Sequence, residues 1–143
     1  MKRTPWPWYV AAVFFFIVDR FLKMLALSHL TAAVGTPASF VLFLNRGIAF
    51  SLPVPPAVFW PAASFALIVI VYSFIVAFHR DPRAAAALFF VIAGAISNLI
   101  DRINLNATVD YLLFFQRSAV NIADGMVVGG LLFLLLRTKN KTV

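Results

Sequence analysis

The chain has 143 residues, 63% hydrophobic and 12% charged, with a net charge of +7 and neither cysteine nor glutamate. That balance lies far outside the soluble average of about half apolar and a quarter charged residues, so it reads as an integral membrane protein of one domain, 1–143. Lack of cysteine excludes a disulfide, a thiolate nucleophile and a Cys-held metal. The positive charge does not point to nucleic acid, because the basic residues cap hydrophobic runs instead of forming a patch interleaved with aromatics.

Lys2 and Arg3, followed by Trp6, Trp8 and Tyr9, mark a membrane interface. The run at about 8–27 is then long enough to cross ~30 Å of hydrocarbon. Val10 to Val18 also has the length of a signal-peptide core, but Asp19 and Lys23 interrupt it. Their i, i+4 spacing puts opposite charges one turn apart on one helix face, where each offsets the other's desolvation. Residues 28–56 are more polar. Alternation in SFVLFLNRGIAFSL, around Asn45-Arg46-Gly47, predicts short strands and a turn outside the membrane or on its surface, ended by Pro53, Pro55 and Pro56.

An uncharged span at about 58–78 leads into the loop HRDPR, where His79 reads as solvated. A third span, 84–103, carries the small residues Ala93, Gly94, Ala95 and Ser97, which allow close helix approach. Asn98, Asp101 and Arg102 project from one face near its end. Residues 104–118 read as a loop with Asp110 between β-prone neighbours. The fourth span, 120–136, opens with Asn121 and Asp124 and offers Gly125/Gly129 as a GxxxG packing face. His29 and His79 lie too far from each other and from clustered acids to suggest a metal site, so neither metal nor cofactor is expected.

Seven of the twelve Lys and Arg residues lie at the two ends and in the 79–83 loop, against Arg46 and Arg117 in the other two loops. The positive-inside rule then gives four transmembrane helices with both termini cytoplasmic. Asn98, Asp101, Asp110, Asn121 and Asp124 converge near the outer face. Polar and ionisable groups at membrane depth are functional candidates. Two carboxylates at one surface share a proton and titrate as a unit, which suits aspartyl proteolysis: one activates water while the other protonates the leaving amine. A Ser–Lys dyad, a proton or ion transporter, and a purely structural role as helix caps and an Asp101–Arg102 ion pair are the competing readings.

Five blocks in order carry a resemblance to the lipoprotein signal peptidases (signal peptidase II): VDRFLK at 18–23, NRGIAFS at 45–51, GAISNLIDR at 94–102, VDY at 109–111 and NIAD at 121–124. The resemblance implies an intramembrane aspartyl endopeptidase of the bacterial cytoplasmic membrane, cutting prolipoproteins before a diacylglyceryl-modified cysteine near the outer face. Asp110 and Asp124 would be the catalytic pair. Asn98, Arg102 and Asn121 would position the pair and the substrate, while Asp19, Lys23, Asn45, Gly47 and Asp101 would support the site's shape. A small extracytoplasmic β-cradle and surface helix would complete an otherwise all-α membrane protein. It would act as a monomer on lipidated prolipoproteins among membrane lipids, without nucleic acid. The chain departs from the family's usual pattern at Arg20, Ser97, Val120 and Gly125, so a catalytically diverged relative is a further competing reading.

Overall fold

The computed structural model describes residues 5–29, 38–48, 52–114 and 118–139. In chain order the elements are α1 (Trp6–His29), β1 (Ala38–Asn45), α2 (Pro56–Arg80), α3 (Pro82–Leu105), β2 (Thr108–Phe114), β3 (Ser118–Val120) and α4 (Ile122–Lys139). Each expected span falls on a helix, the fourth beginning at Ile122. α2 and α3 are long and apolar enough to cross a membrane by length and composition. α1 carries charge within its length, at Asp19, Arg20 and Lys23, and α4 at its two ends, at Asp124 and at Arg137 and Lys139.

α3 is the central helix, packed against the other three. α2 has no buried residue, although it carries Phe65, Ile68, Tyr72 and Ile75 in the open. So large an exposed apolar face suits lipid and not water. The HRDPR segment is not a loop. α2 continues through His79 and Arg80, and Pro82 starts α3, so Asp81 alone separates the helices. Its carboxylate accepts the Ala84 N–H at 3.3 Å, capping α3, and takes Arg137 bidentately at 2.8 and 2.9 Å. His79 is exposed, as expected, but sits in the last helical turn against Phe78.

The α3–α4 contact is closed by different glycines from those expected. A Cβ on Gly94 would lie 2.5 Å from the Ala123 carbonyl oxygen. One on Gly130 would lie 2.6 Å from Val91 Cγ2 and 2.8 Å from the Ala87 carbonyl. Gly125 and Gly129 face open space, so the GxxxG spacing does not mark the packing face here.

Residues 104–118 are likewise not a simple loop, since β2 and β3 take up much of the segment. Asn106 adopts a left-handed conformation (φ 52°) and its N–H closes α3 on the Arg102 carbonyl at 3.0 Å. Asparagine tolerates this region better than most side chains, and it turns the chain straight into β2. The strands form an antiparallel sheet in the order β1-β2-β3, with Asn45 opposite Thr108, Phe43 opposite Asp110 and Leu112 opposite Val120. A register irregularity separates Phe40 from Phe43. β1 matches the alternation at 39–45; the return part of that expected hairpin, at 49–51, lies outside the described residues. No surface helix apart from the four long helices occurs among the described residues.

Candidate active site

The site is built on a buried charge network between α1 and α3. Asp19 and Lys23 are both fully buried and pair at 3.1 Å, one helical turn apart. Lys23 also reaches Asp101 Oδ2 at 2.8 Å and Asn98 Oδ1 at 2.7 Å. Arg20 Nη1 pairs with Asp101 Oδ1 at 2.5 Å and donates to the Ser97 carbonyl at 3.1 Å. Two carboxylates and two cations thus form a neutral group. Burial of a lone charge is prohibitive, whereas a paired and hydrogen-bonded one is tolerated. The remaining acceptor positions are taken too: Asp19 by the Ser97 hydroxyl (2.6 Å), the Tyr111 hydroxyl (2.8 Å) and the Ala123 N–H (3.1 Å), Asp101 by the Val109 N–H (3.2 Å). No buried side-chain nitrogen or oxygen among the described residues lacks a partner.

Asp110 stands on β2 and Asp124 in the first turn of α4. Asp110 is buried; its Oδ1 accepts from Asn121 Nδ2 at 2.7 Å and its Oδ2 from Asn45 Nδ2 at 3.1 Å. Asn45 lies opposite Thr108, two residues from Asp110, so the diagonal across the strand pair brings its amide to the carboxylate. Half-buried Asp124 accepts from Asn98 Nδ2 at 2.8 Å and from the Asn121 N–H at 3.2 Å. Asn121 Oδ1 takes the Asp124 N–H at 2.8 Å, making a reciprocal capping box at the start of α4. The capping role of Asn121 and Asp124 is therefore present, and the same Asn121 also bridges the two carboxylates. Burial, and next the charge of Asp124, push the Asp110 carboxyl up to about 6, against the weaker downward pull of the Asn45 and Asn121 hydrogen bonds.

Arg102 leaves Asp101 to Arg20 and Lys23. Its guanidinium donates to the Gly47 carbonyl and lies over the Phe59 ring, 4.4 Å from the centroid, with Asp110 and Asp124 in its field. Gly47 is held by its own N–H, which donates to Asn45 Oδ1 at 3.0 Å. An open groove of about 590 Å³ runs along Phe43, Leu44, Arg46 and Pro53 to Pro55, sharing Asn45 and Gly47 with the site.

All ten residues expected at the site occur in this one connected region. Asn45, Asn98 and Asn121 touch the two carboxylates; Asp19, Lys23 and Asp101 form the network behind Asn98; Arg102 and Gly47 join α3 to the segment after β1. The sequence alone does not single out Tyr111 or Phe59, and it marks Ser97 only as a small residue and a departure from the family pattern, and Arg20 only as such a departure. Ser97 is buried 3.4 Å from Lys23, where a Ser–Lys dyad would begin. Its hydroxyl is given to Asp19 while Lys23 is held by two carboxylates, and both residues are fully buried. Alternation along β2 was the signal for Tyr111, since it placed Asp110 and Tyr111 on opposite faces of a strand. No grouping of three or more metal-ligating side chains is found among the described residues. The arrangement holds two carboxyls through one residue, Asn121, each with acceptor positions left for a proton or a water.

Residues 11–139 match the family model described as signal peptidase (SPase) II. The chain is 32% identical over 145 residues to a lipoprotein signal peptidase of Acinetobacter baylyi, covering 92% of this chain and 80% of the relative. It is 30% identical over 140 residues to that of Halothermothrix orenii (90% and 92%) and 32% over 139 residues to that of Brevibacillus brevis (92% and 93%). Two solved structures described as bacterial membrane enzymes share the fold, with TM-scores of 0.77 and 0.72 at 20% identity. They cover 96% and 94% of this chain, and 90% and 93% of their own. With the match running through all four helices and both site aspartates, the chain belongs to the signal peptidase II family.

Proposed function

We propose that the protein is an aspartic endopeptidase that removes signal peptides from prolipoproteins, with Asp110 and Asp124 as its catalytic pair. The observation that carries this reading is the bridge made by Asn121, whose side-chain amide holds Asp110 while its backbone N–H holds Asp124. Each carboxylate oxygen accepts one hydrogen bond and keeps a second acceptor direction free for a proton or a water. Asp110, raised to about 6, holds the shared proton in mildly acidic conditions. Asp124, the more open of the two, takes a proton from water as it attacks the scissile carbonyl. Asp110 donates to the developing oxyanion, and the proton taken from water passes to the leaving amine. Arg102, fixed on Gly47 and Phe59, adds positive charge beside the pair.

The four long helices are taken as four spans with both termini cytoplasmic, which puts the sheet and the catalytic pair near the outer face of a bacterial cytoplasmic membrane. Substrate with a diacylglyceryl-modified cysteine enters sideways from the bilayer and lays its cleavage segment along the groove beside Asn45 and Gly47. The active unit is a monomer. The test is to incubate purified protein with a prolipoprotein carrying diacylglyceryl-cysteine, beside the unlipidated form, and read the products by mass. Cleavage of the lipidated form alone, immediately before the modified cysteine, is expected. Equal cleavage of both forms contradicts the lipid requirement, and no cleavage by folded protein contradicts the peptidase reading.

A further inference from the structure

Tyr111 is a fully buried side chain that the proposed chemistry does not use. It follows Asp110 on β2 and so turns to the opposite face of the strand, into the helix bundle. Its hydroxyl donates to Asp19 Oδ1 at 2.8 Å and accepts the Ile122 N–H at 3.0 Å. Ile122 opens α4, two residues before Asp124. A single hydroxyl thus joins the strand that carries Asp110, the helix turn that carries Asp124, and α1.

The first N–H groups of a helix have no partner within it. Here Tyr111 takes that of Ile122, Asp19 that of Ala123 and Asn121 that of Asp124. Tyr111 and Asp19 are themselves hydrogen-bonded, so the start of α4 is seated on a preformed pair. The ring is fixed as well, tilted against Phe40 at 5.6 Å between centroids and packed with Ala26 and Val109. Burial, and the adjoining Asp19 carboxylate, push the phenol far above its ordinary range, so it remains a proton donor throughout working pH.

We infer that Tyr111 is a positioning residue for peptide cleavage: its hydroxyl sets Asp124 against Asp110 by tying the start of α4 to β2 and Asp19. The inference rests on the catalytic pair proposed above. Tyr111 touches neither carboxylate. Reacting groups must sit within a few tenths of an ångström of their productive places, so freeing one helix terminus lowers turnover more than substrate affinity.

The test is Tyr111→Phe, which keeps the ring and its packing and removes only the hydroxyl. With lipidated prolipoprotein, kcat is expected to fall about tenfold while KM stays within about twofold and the melting temperature is little changed. In an Asp19→Asn background the same change should cost much less, because the joint is already loosened. Unchanged kcat, full additivity with Asp19→Asn, or activity lost only in proportion to folded protein would each overturn the role. If Tyr111→Phe does not fold, Asp19→Asn is the second variant, with the same split between kcat and KM expected and its absence contradicting the inference. A wild-type protein that folds yet leaves the lipidated substrate intact would instead overturn the peptidase reading itself, and this role with it.

Discussion

Asp110 illustrates how neighbours set the working state of one carboxyl. Its burial and the nearby Asp124 favour the protonated form, while donors from Asn45 and Asn121 favour the ionised one. Removing a donor therefore has a definite sign. Asn45→Ala deletes a hydrogen bond to the ionised form, so the Asp110 pKa rises further and the alkaline limb of the kcat/KM profile moves to higher pH. At the optimum the loss should be about tenfold, the value of one hydrogen bond to a charged group. A limb that stays in place or moves to lower pH contradicts the assignment. The shift also bears on stability. Because the folded-state value is raised to about 6, the contribution of Asp110 is full below the ordinary carboxylate range and is lost as pH rises through about 6. The carboxylates and amides of the site could be read from the sequence, since polar side chains are rare in such an apolar chain. Which partner each one takes could not. Arg20 passes by its neighbour Asp19 to pair with Asp101, a choice fixed by the rotation of α1 against α3.

Between elements, the α3–α4 seam decides where Asp124 sits relative to Asn98. Gly94 lies against the Ala123 carbonyl, one residue from Asp124, and Gly130 lies two turns deeper against Val91. Gly94→Ala and Gly130→Ala should each destabilise the protein by about 1–3 kcal/mol through overpacking, and Gly94→Ala should also reduce turnover. Gly125→Ala and Gly129→Ala, which meet open space, should be close to neutral in thermal unfolding. The reverse ranking would contradict the packing described. Helix existence was legible in the apolar runs, and β1 in its alternation. The seam was not, because a GxxxG spacing names two glycines on one face without saying which face meets a neighbour. β2 was also under-read. Its β-prone residues were visible, but its pairing with β1 is a long-range contact that no local pattern specifies.

For the whole molecule, the proposed orientation joins charge to function: basic ends and the α2–α3 junction inside, sheet and catalytic pair outside. The natural absence of cysteine makes this directly measurable. In intact spheroplasts, Arg46→Cys should react with a membrane-impermeant maleimide, while Arg83→Cys should react only after permeabilisation. Both side chains are exposed, so burial does not confound the comparison. The opposite pattern would reverse the topology. Charge counting proposes this orientation from sequence alone, because basic residues gather at the two ends and at the α2–α3 junction. It could not show that Asp81 binds Arg137 and so ties the α2–α3 junction to the end of α4.

The central claim is that Asp110 and Asp124 perform the cleavage together, and single-turnover kinetics of Asp110→Asn and Asp124→Asn test it most directly. Both variants should remain folded, bind lipidated prolipoprotein near the wild-type affinity, and lose at least about a thousandfold in the rate of peptide cleavage. A folded variant of either aspartate that still cleaves within about tenfold of the wild-type rate would contradict the account.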